Sequence, residues 1–411
     1  MKEERMMILS MLKEGKINSE EAVKLLEALG DTEDDIEDKK SEKDKFIDMD
    51  KTKEKMGEFG EVVKEQGKKV GDIGVDLGNK IAKAFTNIKD DINLDGFLGN
   101  SETINAKAVK NISHIENPII DLKSINGSII VENWDEEDML IEINCKYKDD
   151  LLSSGEEFYE FYETENKIIF KPKFESKIMM NLKVYLPDRP YEEICLNTSN
   201  GELRIDDFNV DNLILNTTNA AITVNDILAH EINMNTKNGK FSLEDIDANI
   251  VKASTSNASI TVDDIKAETF HINTKNGRIS ISDILTQDII AITSNATIDI
   301  NDISSQDIIL TTSNGKILLR DVDTDKAEHI ELSTSNASIE AELDEINKEI
   351  YIDLETSMGN INLEIENLVH EINKQVNFGK KKIVAHSINL NEEEEHLKLY
   401  ASTSNASIKI Y

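Results

Sequence analysis

The chain has 411 residues, enough for roughly two or three domains, and its formal net charge is −35, from 46 Lys and Arg against 81 Asp and Glu. A surface with this charge repels the phosphates of nucleic acids, and no segregated basic patch that would bind them stands out, so nucleic acid is excluded as a partner. Two cysteines without a CxxC pair exclude a disulfide scaffold or a Cys-rich metal site.

The first residues of the chain do not look like a targeting segment. MKEERMM is charged, and no run of about 18 apolar residues occurs anywhere. We therefore expect a cytoplasmic protein with neither a signal peptide nor a transmembrane segment.

Residues 1–30 predict a helical hairpin, because apolar residues recur at helical spacing and Gly15 and Gly30 stand where C-cap glycines belong. Residues 31–51 are rich in acids and poor in apolar groups, which is typical of a solvated linker. A hairpin of this size buries little apolar surface by itself, so we expect it to dock on another element or to self-associate.

Residues 52–92 predict a glycine-striped amphipathic helix, and residues 51–89 hold nine Lys against six acids. One interpretation is a helix that packs on another part of this chain or on a second copy. The other is an interfacial helix that makes peripheral contact with a membrane, because the apolar face and the basic excess coincide. The apolar face consists of Phe59, Val63, Val70, Ile73, Leu77, Ile81, Phe85 and Ile88.

An internal repeat dominates residues 198–411. The motif T-x-N-(G/A) begins at TSNG 198–201, and its Asn recurs every 19 residues as far as Asn314. Later copies follow, including TSMG at 356–359 and TSNA at 403–406. We interpret the motif as a turn with these Asn residues: Asn200, Asn219, Asn238, Asn257, Asn276, Asn295, Asn314, Asn336 and Asn405.

A second column of the repeat consists of acids. Between the Asn and Asp columns apolar residues alternate with a period of two, which predicts short half-buried strands. Each 19-residue unit is therefore a strand, an Asp turn, a strand and a Thr-x-Asn turn. The acids are Asp207, Asp226, Asp245, Asp264, Asp283, Asp302 and Asp321.

The residue after the turn Asn alternates between Gly and Ala along the sequence, so the larger unit has 38 residues. Two architectures fit: a solenoid whose coil contains two 19-residue units, with Gly and Ala on different edges, or stacked antiparallel hairpins. Asn-Ala is a poor hairpin turn, so we favour the solenoid. The predicted fold class is mainly β, a parallel β-solenoid-like array over 198–411 that follows an irregular β cap over 102–197.

The alternating TSNG and TSNA array, opened by SINGSIIVENWD at 124–135, resembles the DUF4097 family, which also carries the label "putative adhesin". The leader MKEERMMILSMLKEGKINSEEAVKLLEALG is similar to the N-terminal module of the YvlB/LiaX type of Firmicutes envelope-stress proteins. The resemblance implies a β-solenoid-like domain, no known enzymatic activity and a role in envelope stress or membrane-linked signalling. It supplies no catalytic residues, and residues 52–92 have no counterpart in it.

The Asp column is the best candidate for a metal site, since stacked carboxylates can bind Ca²⁺. The GGxGxD turns of calcium β-rolls are absent, so turn formation is the favoured interpretation of these acids. No P-loop, GxSxG, GxGxxG or HExxH motif occurs, and the seven His share no repeat phase. We expect no catalytic residues and no cofactor.

We therefore predict a non-enzymatic β-solenoid scaffold that senses or relays envelope stress through protein-protein or membrane-surface contacts. The alternative is an adhesin-like module that binds glycan or protein on its solenoid face. A solenoid enzyme ranks last, because the acids lie mainly in phase with the repeat. We also expect an open strand edge near Tyr411, which a second copy of the chain would contact.

Overall fold

A computed structural model describes residues 101–148, 151, 157–343, 345–375, 379–391 and 393–411. The predicted hairpin of residues 1–30, the linker of 31–51 and the amphipathic helix of 52–92 lie outside the described residues. Within those ranges the regular structure consists of 23 β-strands. No helix there has the length and apolar character needed to span a bilayer.

The strands fall into three groups by length. Eight strands come first: β1 (Ser101–Asn111), β2 (Ile119–Lys123), β3 (Ile129–Trp134), β4 (Asp138–Lys148), β5 (Tyr159–Thr164), β6 (Lys167–Pro172), β7 (Ile178–Pro187) and β8 (Tyr191–Asn197). Six strands of 14 residues follow: β9 (Leu203–Asn216), β10 (Ile222–Asn235), β11 (Phe241–Ser254), β12 (Ile260–Asn273), β13 (Ile279–Ile292) and β14 (Ile298–Thr311).

Nine shorter strands make up the third group. They are β15 (Ile317–Val322), β16 (His329–Ser333), β17 (Ile339–Leu343), β18 (Ile350–Thr356), β19 (Ile361–Leu363), β20 (Leu368–Gln375), β21 (Lys381–Ser387), β22 (Leu397–Thr403) and β23 (Ile408–Ile410).

The six long strands stack in parallel with a constant offset of 19 residues. Ile222 of β10 pairs with Phe241 of β11, which pairs with Ile260 of β12. The hydrogen-bond ladders therefore align every residue with its equivalent in the next repeat. This register confirms the predicted parallel solenoid. The expected coil of two 19-residue units is wrong, because each coil contains one unit, and Gly and Ala therefore share one edge of the stack.

Each long strand bends at the Asp of the repeat, which has a positive φ. A left-handed backbone is unfavourable for most side chains, but Asp tolerates it because its short polar side chain bonds locally. The bend divides a strand into a short limb and a long limb, 222–225 and 227–235 in β10. The φ angles lie between 50° and 64° at Asp207, Asp226, Asp245, Asp264, Asp283, Asp302 and Asp321.

Alternate side chains of both limbs point into one continuous apolar core. In β12, Ile260, Val262, Ile265, Phe270 and Ile272 are each at most 2% exposed. The register repeats these positions in every coil, so apolar side chains stack on one another along the whole array. Each fully buried side chain of this size contributes about 1.5–3 kcal/mol, which makes the core the main source of stability.

The Thr-x-Asn turns bring consecutive coils into close contact at glycine. A Cβ atom on Gly277 would lie 1.7 Å from the carbonyl oxygen of Ala258 in the preceding coil, and Gly239 and Gly315 meet Ala carbonyls in the same way. Among the described glycines only Gly379 has a positive φ. The turn glycines are therefore required for the close approach of two backbones, and a left-handed conformation plays no part.

Parallel stacking extends into the region that the sequence assigned to the cap. β2 pairs with β8, and β3 pairs with β9, both in parallel. β6 and β7 form one further coil by pairing in parallel with β2 and β3. Antiparallel strands then cover this end, with β5 on β6, β4 on β7 and β1 on β4.

At the other end, the order of the coils in space differs from their order in the sequence. β22 lies between β16 and β18, and β23 lies between β17 and β19. The final strand is thus interior: the Tyr411 N–H donates to Ala341 O at 3.1 Å, and Leu343 N–H donates to Tyr411 O at 2.8 Å. The prediction of an open edge near Tyr411 is therefore wrong.

The alternation of Gly and Ala is also interrupted in space. Gly359 packs against Ala406, which follows Ala337 in the stack, and Gly201 packs against Gly127 at the other end. The strict alternation along the sequence therefore describes only the middle coils.

Replacing Gly277 by Ala should destabilise the array, because the new methyl group would force two coils apart. Overpacking of this kind costs about 1–3 kcal/mol, whereas Gly→Ala in an unstrained turn stabilises by about 0.4–1 kcal/mol. We expect a lower midpoint of urea unfolding, followed by far-ultraviolet circular dichroism. Ala296→Gly, at the same turn position one coil later, is the matched control and should change stability by less than about 1 kcal/mol. A raised midpoint for Gly277→Ala would refute the close-approach argument.

Candidate functional site

The turn Asn residues form a continuous ladder of carboxamides along one edge of the stack. Asn276 Nδ2 donates to Asn257 Oδ1 at 2.7 Å, and Asn257 Nδ2 donates to Asn238 Oδ1 at 2.6 Å. The ladder runs from Asn126 to Asn405, with donor-acceptor distances of 2.5–2.8 Å. Each amide has a second N–H and a second lone pair, so the exposed edge offers donors and acceptors to a ligand.

The Thr that opens each turn is buried and ties neighbouring coils together. Thr274 Oγ1 donates to Ala258 O at 3.1 Å and accepts from the Gly277 N–H at 3.1 Å. Thr293 Oγ1 donates to Gly277 O at 3.1 Å in the next coil. These hydroxyls satisfy backbone carbonyls that the close approach of the coils would otherwise leave unpaired.

The Asp column lies at the bends, and its carboxylates follow one another one coil apart. Burial and the neighbouring Asp264 raise the pKa of Asp245, and burial and Asp302 raise the pKa of Asp283. Within the described part of the chain no three His, Cys, Asp or Glu side chains come together around a point that could hold a metal ion. The structure therefore places the candidate calcium residues in a line along the stack.

A group of aromatic and acidic side chains lies on the outer side of the long limbs near the C-terminal end. His329, Glu331, Tyr351, Asp353 and Tyr400 belong to β16, β18 and β22, which only the spatial order of the coils makes neighbours. The His329 and Tyr400 ring centroids are 5.5 Å apart, and those of Tyr351 and Tyr400 are 6.1 Å apart. We call these five residues the C-terminal outer cluster.

Burial shifts the titration of this cluster towards neutral forms. It raises the pKa of Glu331, and it raises the pKa of Asp353 although Lys382 Nζ lies 2.8 Å from Asp353 Oδ2. Burial and Lys398 lower the pKa of His329. Half-buried carboxylates beside aromatic rings favour an incoming donor or cation.

Asp307 borders the C-terminal outer cluster and is the most strongly shifted carboxyl with a printed value in this region. Burial, together with Asp288 in the preceding coil, raises the pKa of Asp307 to about 6. His329 Nδ1 lies 3.8 Å from Asp307 Oδ1. Because the pKa of His329 is lowered, this contact is not an ion pair at neutral pH.

The sequence did not point to the C-terminal outer cluster, whose members are brought together across gaps of up to 71 residues by β22 and β23. Its one signal was the appearance of Tyr351 and Tyr400 at outward strand positions, out of step with the polar residues there. The predicted helix residues Phe59, Val63, Val70, Ile73, Leu77, Ile81, Phe85 and Ile88 lie outside the described residues.

Asp307→Asn should stabilise the protein at neutral pH. The folded-state pKa of about 6 exceeds the unfolded value of about 4, so wild-type stability falls as pH rises from about 4 to about 6. The side chain is 42% exposed, and solvent screening reduces the expected gain at pH 7.5 to about 1 kcal/mol. The gain should vanish near pH 4. Urea unfolding from pH 4 to 8 measures this, with exposed Asp135→Asn as the charge-matched control; equal effects of both variants would contradict the prediction.

Comparison with known proteins identifies the family of this fold. Residues 120–252 and 228–399 match the family model described as Toastrack DUF4097. Residues 3–34, outside the described part, match a SHOCT-like domain model. The uncharacterized protein YvlB of Bacillus subtilis (strain 168) is 26% identical over 225 residues, which are 53% of this chain and 58% of YvlB. The match thus spans less than two thirds of that relative.

A solved structure was also compared with this chain. The crystal structure of a putative cell adhesion protein from Clostridium sporogenes ATCC 15579 covers 75% of this chain and 99% of its own, at 8% identity and a TM-score of 0.16. That TM-score is too low for a comparison of sites. The two Toastrack matches together run from residue 120 to residue 399, well over half of the 411 residues, and agree with the parallel stack of 19-residue coils. The chain belongs to the Toastrack DUF4097 family.

Proposed function

We propose that this chain is a non-enzymatic β-solenoid scaffold that relays cell-envelope stress by binding a partner protein at the C-terminal outer cluster. The observation that carries the proposal is the cluster itself. His329, Tyr351 and Tyr400 present their rings on the outer side of coils that backbone ladders hold in register. A rigid, pre-organised aromatic surface loses little entropy on binding.

The chemistry of the cluster suits a protein surface. Tyrosine is enriched at interfaces, where it supplies a large contact area together with a hydroxyl, and solenoids commonly bind partners along a lateral surface. Glu331 and Asp353 have raised pKa values because they are buried, so a Lys or Arg of the partner would restore their charged forms. We therefore expect a basic segment at the centre of the partner's contact surface.

The stress role and the cellular location are inferred from sequence. The leader and the repeat array resemble envelope-stress proteins, and the SHOCT-like and Toastrack matches support the same two-part organisation. We place the protein in the cytoplasm, with residues 52–92 in peripheral contact with the membrane. That arrangement would keep the array beside membrane-linked signalling proteins.

A photo-crosslinking amino acid at position 400 should capture the partner in stressed cells of the native host. We expect one discrete adduct, and we expect Tyr351→Ala to reduce its yield about tenfold, as for a central interface tyrosine. The same variant should weaken the induction of an envelope-stress reporter. Denaturing gels and reporter activity measure the two effects.

Tyr162 on β5, at the opposite end of the array, provides the matched control. It is also an exposed tyrosine, and neither a crosslinker at position 162 nor Tyr162→Ala should affect the adduct or the reporter. Thermal melts should show that each variant is folded. Equal adducts from positions 400 and 162, or an unchanged reporter with Tyr351→Ala, would refute the proposal.

The membrane contact is tested separately by vesicle flotation. The full chain should float with vesicles of anionic lipid, and a chain that lacks residues 51–92 should remain at the bottom of the gradient. Association should weaken as salt is raised, since basic residues contribute to it. A full chain that stays in solution would remove the membrane part of the proposal and leave the partner site standing.

A further inference from the structure

The outer side of the antiparallel cap carries three ordered rows of side chains across β1, β4 and β7. Rows two residues apart along a strand share one face of the sheet, so all three rows lie on the same side. We call this surface, together with Trp134 of β3, the cap face. Its rows are Asn105, Asn144 and Asn181; Lys107, Glu142 and Lys183; and Val109, Leu140 and Tyr185.

The first two rows line a shallow groove on the cap face. With Ser128 and Ile130 of the neighbouring segment they enclose about 520 Å³, which is within the range of small-ligand sites. The groove runs across the strands and adjoins the third row. A ligand in it would therefore contact amides, charged groups and an aromatic side chain in sequence.

The carboxamide row is itself hydrogen-bonded. Asn144 Nδ2 donates to Asn105 Oδ1 at 2.8 Å, and Asn181 Oδ1 accepts from the Ser128 N–H at 3.0 Å. These contacts fix the orientation of the amides. Each amide nitrogen carries two N–H groups and each oxygen two lone pairs, so the row can still donate to and accept from a ligand amide.

An aromatic pair lies at the other side of the groove. The Trp134 and Tyr185 rings stack with centroids 5.3 Å apart and planes at 29°. Trp134 Nε1 is buried, so the part of this half-exposed side chain that solvent reaches is its carbon framework. Tyr185 follows Asn181 by four residues, about 13 Å along the strand, which is longer than a single sugar ring.

The charged row is neutralised locally, in a chain that is otherwise strongly acidic. Lys107 Nζ lies 2.7 Å from Glu142 Oε1, and Lys183 Nζ lies 3.0 Å from Glu132 Oε2. Two lysines therefore balance two glutamates, and the cap face has no excess charge that would select an ion. Aromatic carbon, amides and balanced charges together suit an uncharged ligand that has both C–H faces and hydrogen-bonding groups.

We propose that the cap face binds an oligosaccharide that carries acetamido groups. Sugar ring faces stack on Trp134 and Tyr185, and acetamido groups exchange hydrogen bonds with the carboxamide row. The inference does not rest on the scaffold role proposed above, whose site lies at the other end of the array, so either can fail without the other.

The test uses Trp134, the one tryptophan of the chain, as a probe built into the site. Titration of the full chain with the tetramer of N-acetylglucosamine should give a saturable change in tryptophan emission at millimolar sugar. Cellotetraose, which lacks the acetamido groups, should bind about tenfold more weakly or worse. Asn144→Ala and Tyr185→Ala should each weaken binding of the tetramer about tenfold, whereas Tyr185→Phe, which keeps the ring, should retain it.

Asn257→Ala, in the carboxamide ladder of the turn edge, is the matched control and should bind as the wild type does. Thermal melts identify any variant that fails to fold, and Asn144 is exposed, so its truncation should leave the fold intact. Absence of a saturable response in the wild type, or equal binding by wild type and Asn144→Ala, would overturn the proposal. Equal affinity for both sugars would also overturn it.

Discussion

The 19-residue register of the parallel ladders is the constraint on which the rest of the structure depends. Because each residue lies above its equivalent in the next coil, any residue type that suits one coil must also suit its own copies at the spacing of adjacent strands. Aliphatic side chains satisfy this requirement in the core, and amides satisfy it at the turns, where each one bonds the next. Carboxylates satisfy it only at the bends, where water screens their repulsion.

The close contact of coils at the turns explains three residues of the repeat together. Gly277 removes the Cβ atom that would collide with Ala258 O, and Thr274 supplies the hydroxyl that satisfies this carbonyl. Asn276 then links the exposed side of the turn to Asn257. The repeated motif is therefore accounted for by backbone packing and hydrogen-bond satisfaction, and its conservation of residue type along the array needs no ligand.

The surfaces with the greatest chemical variety lie where the repetition ends. At the N-terminal end, antiparallel strands replace parallel coils, and the cap face combines amides with the Trp134 and Tyr185 rings. At the C-terminal end, insertion of β22 and β23 between earlier coils assembles the C-terminal outer cluster. A solenoid of this kind thus separates two recognition surfaces by a rigid spacer of uniform coils.

Much of the fold could be predicted from the sequence by itself. The spacing of Asn200, Asn219 and later copies determined the period, alternation between the columns determined the strands, and the Asp column marked the bends, because these are local properties of the chain. Tertiary structure alone decided that one repeat makes one coil, that β23 is interior, and that Tyr351 and Tyr400 meet. Those outcomes depend on which distant strands pair, and a period of 19 or 38 residues is compatible with several pairings. The physical reason is that ladder hydrogen bonds are alike for every register, so the choice rests on the side chains and carbonyls that meet only after the coils have stacked.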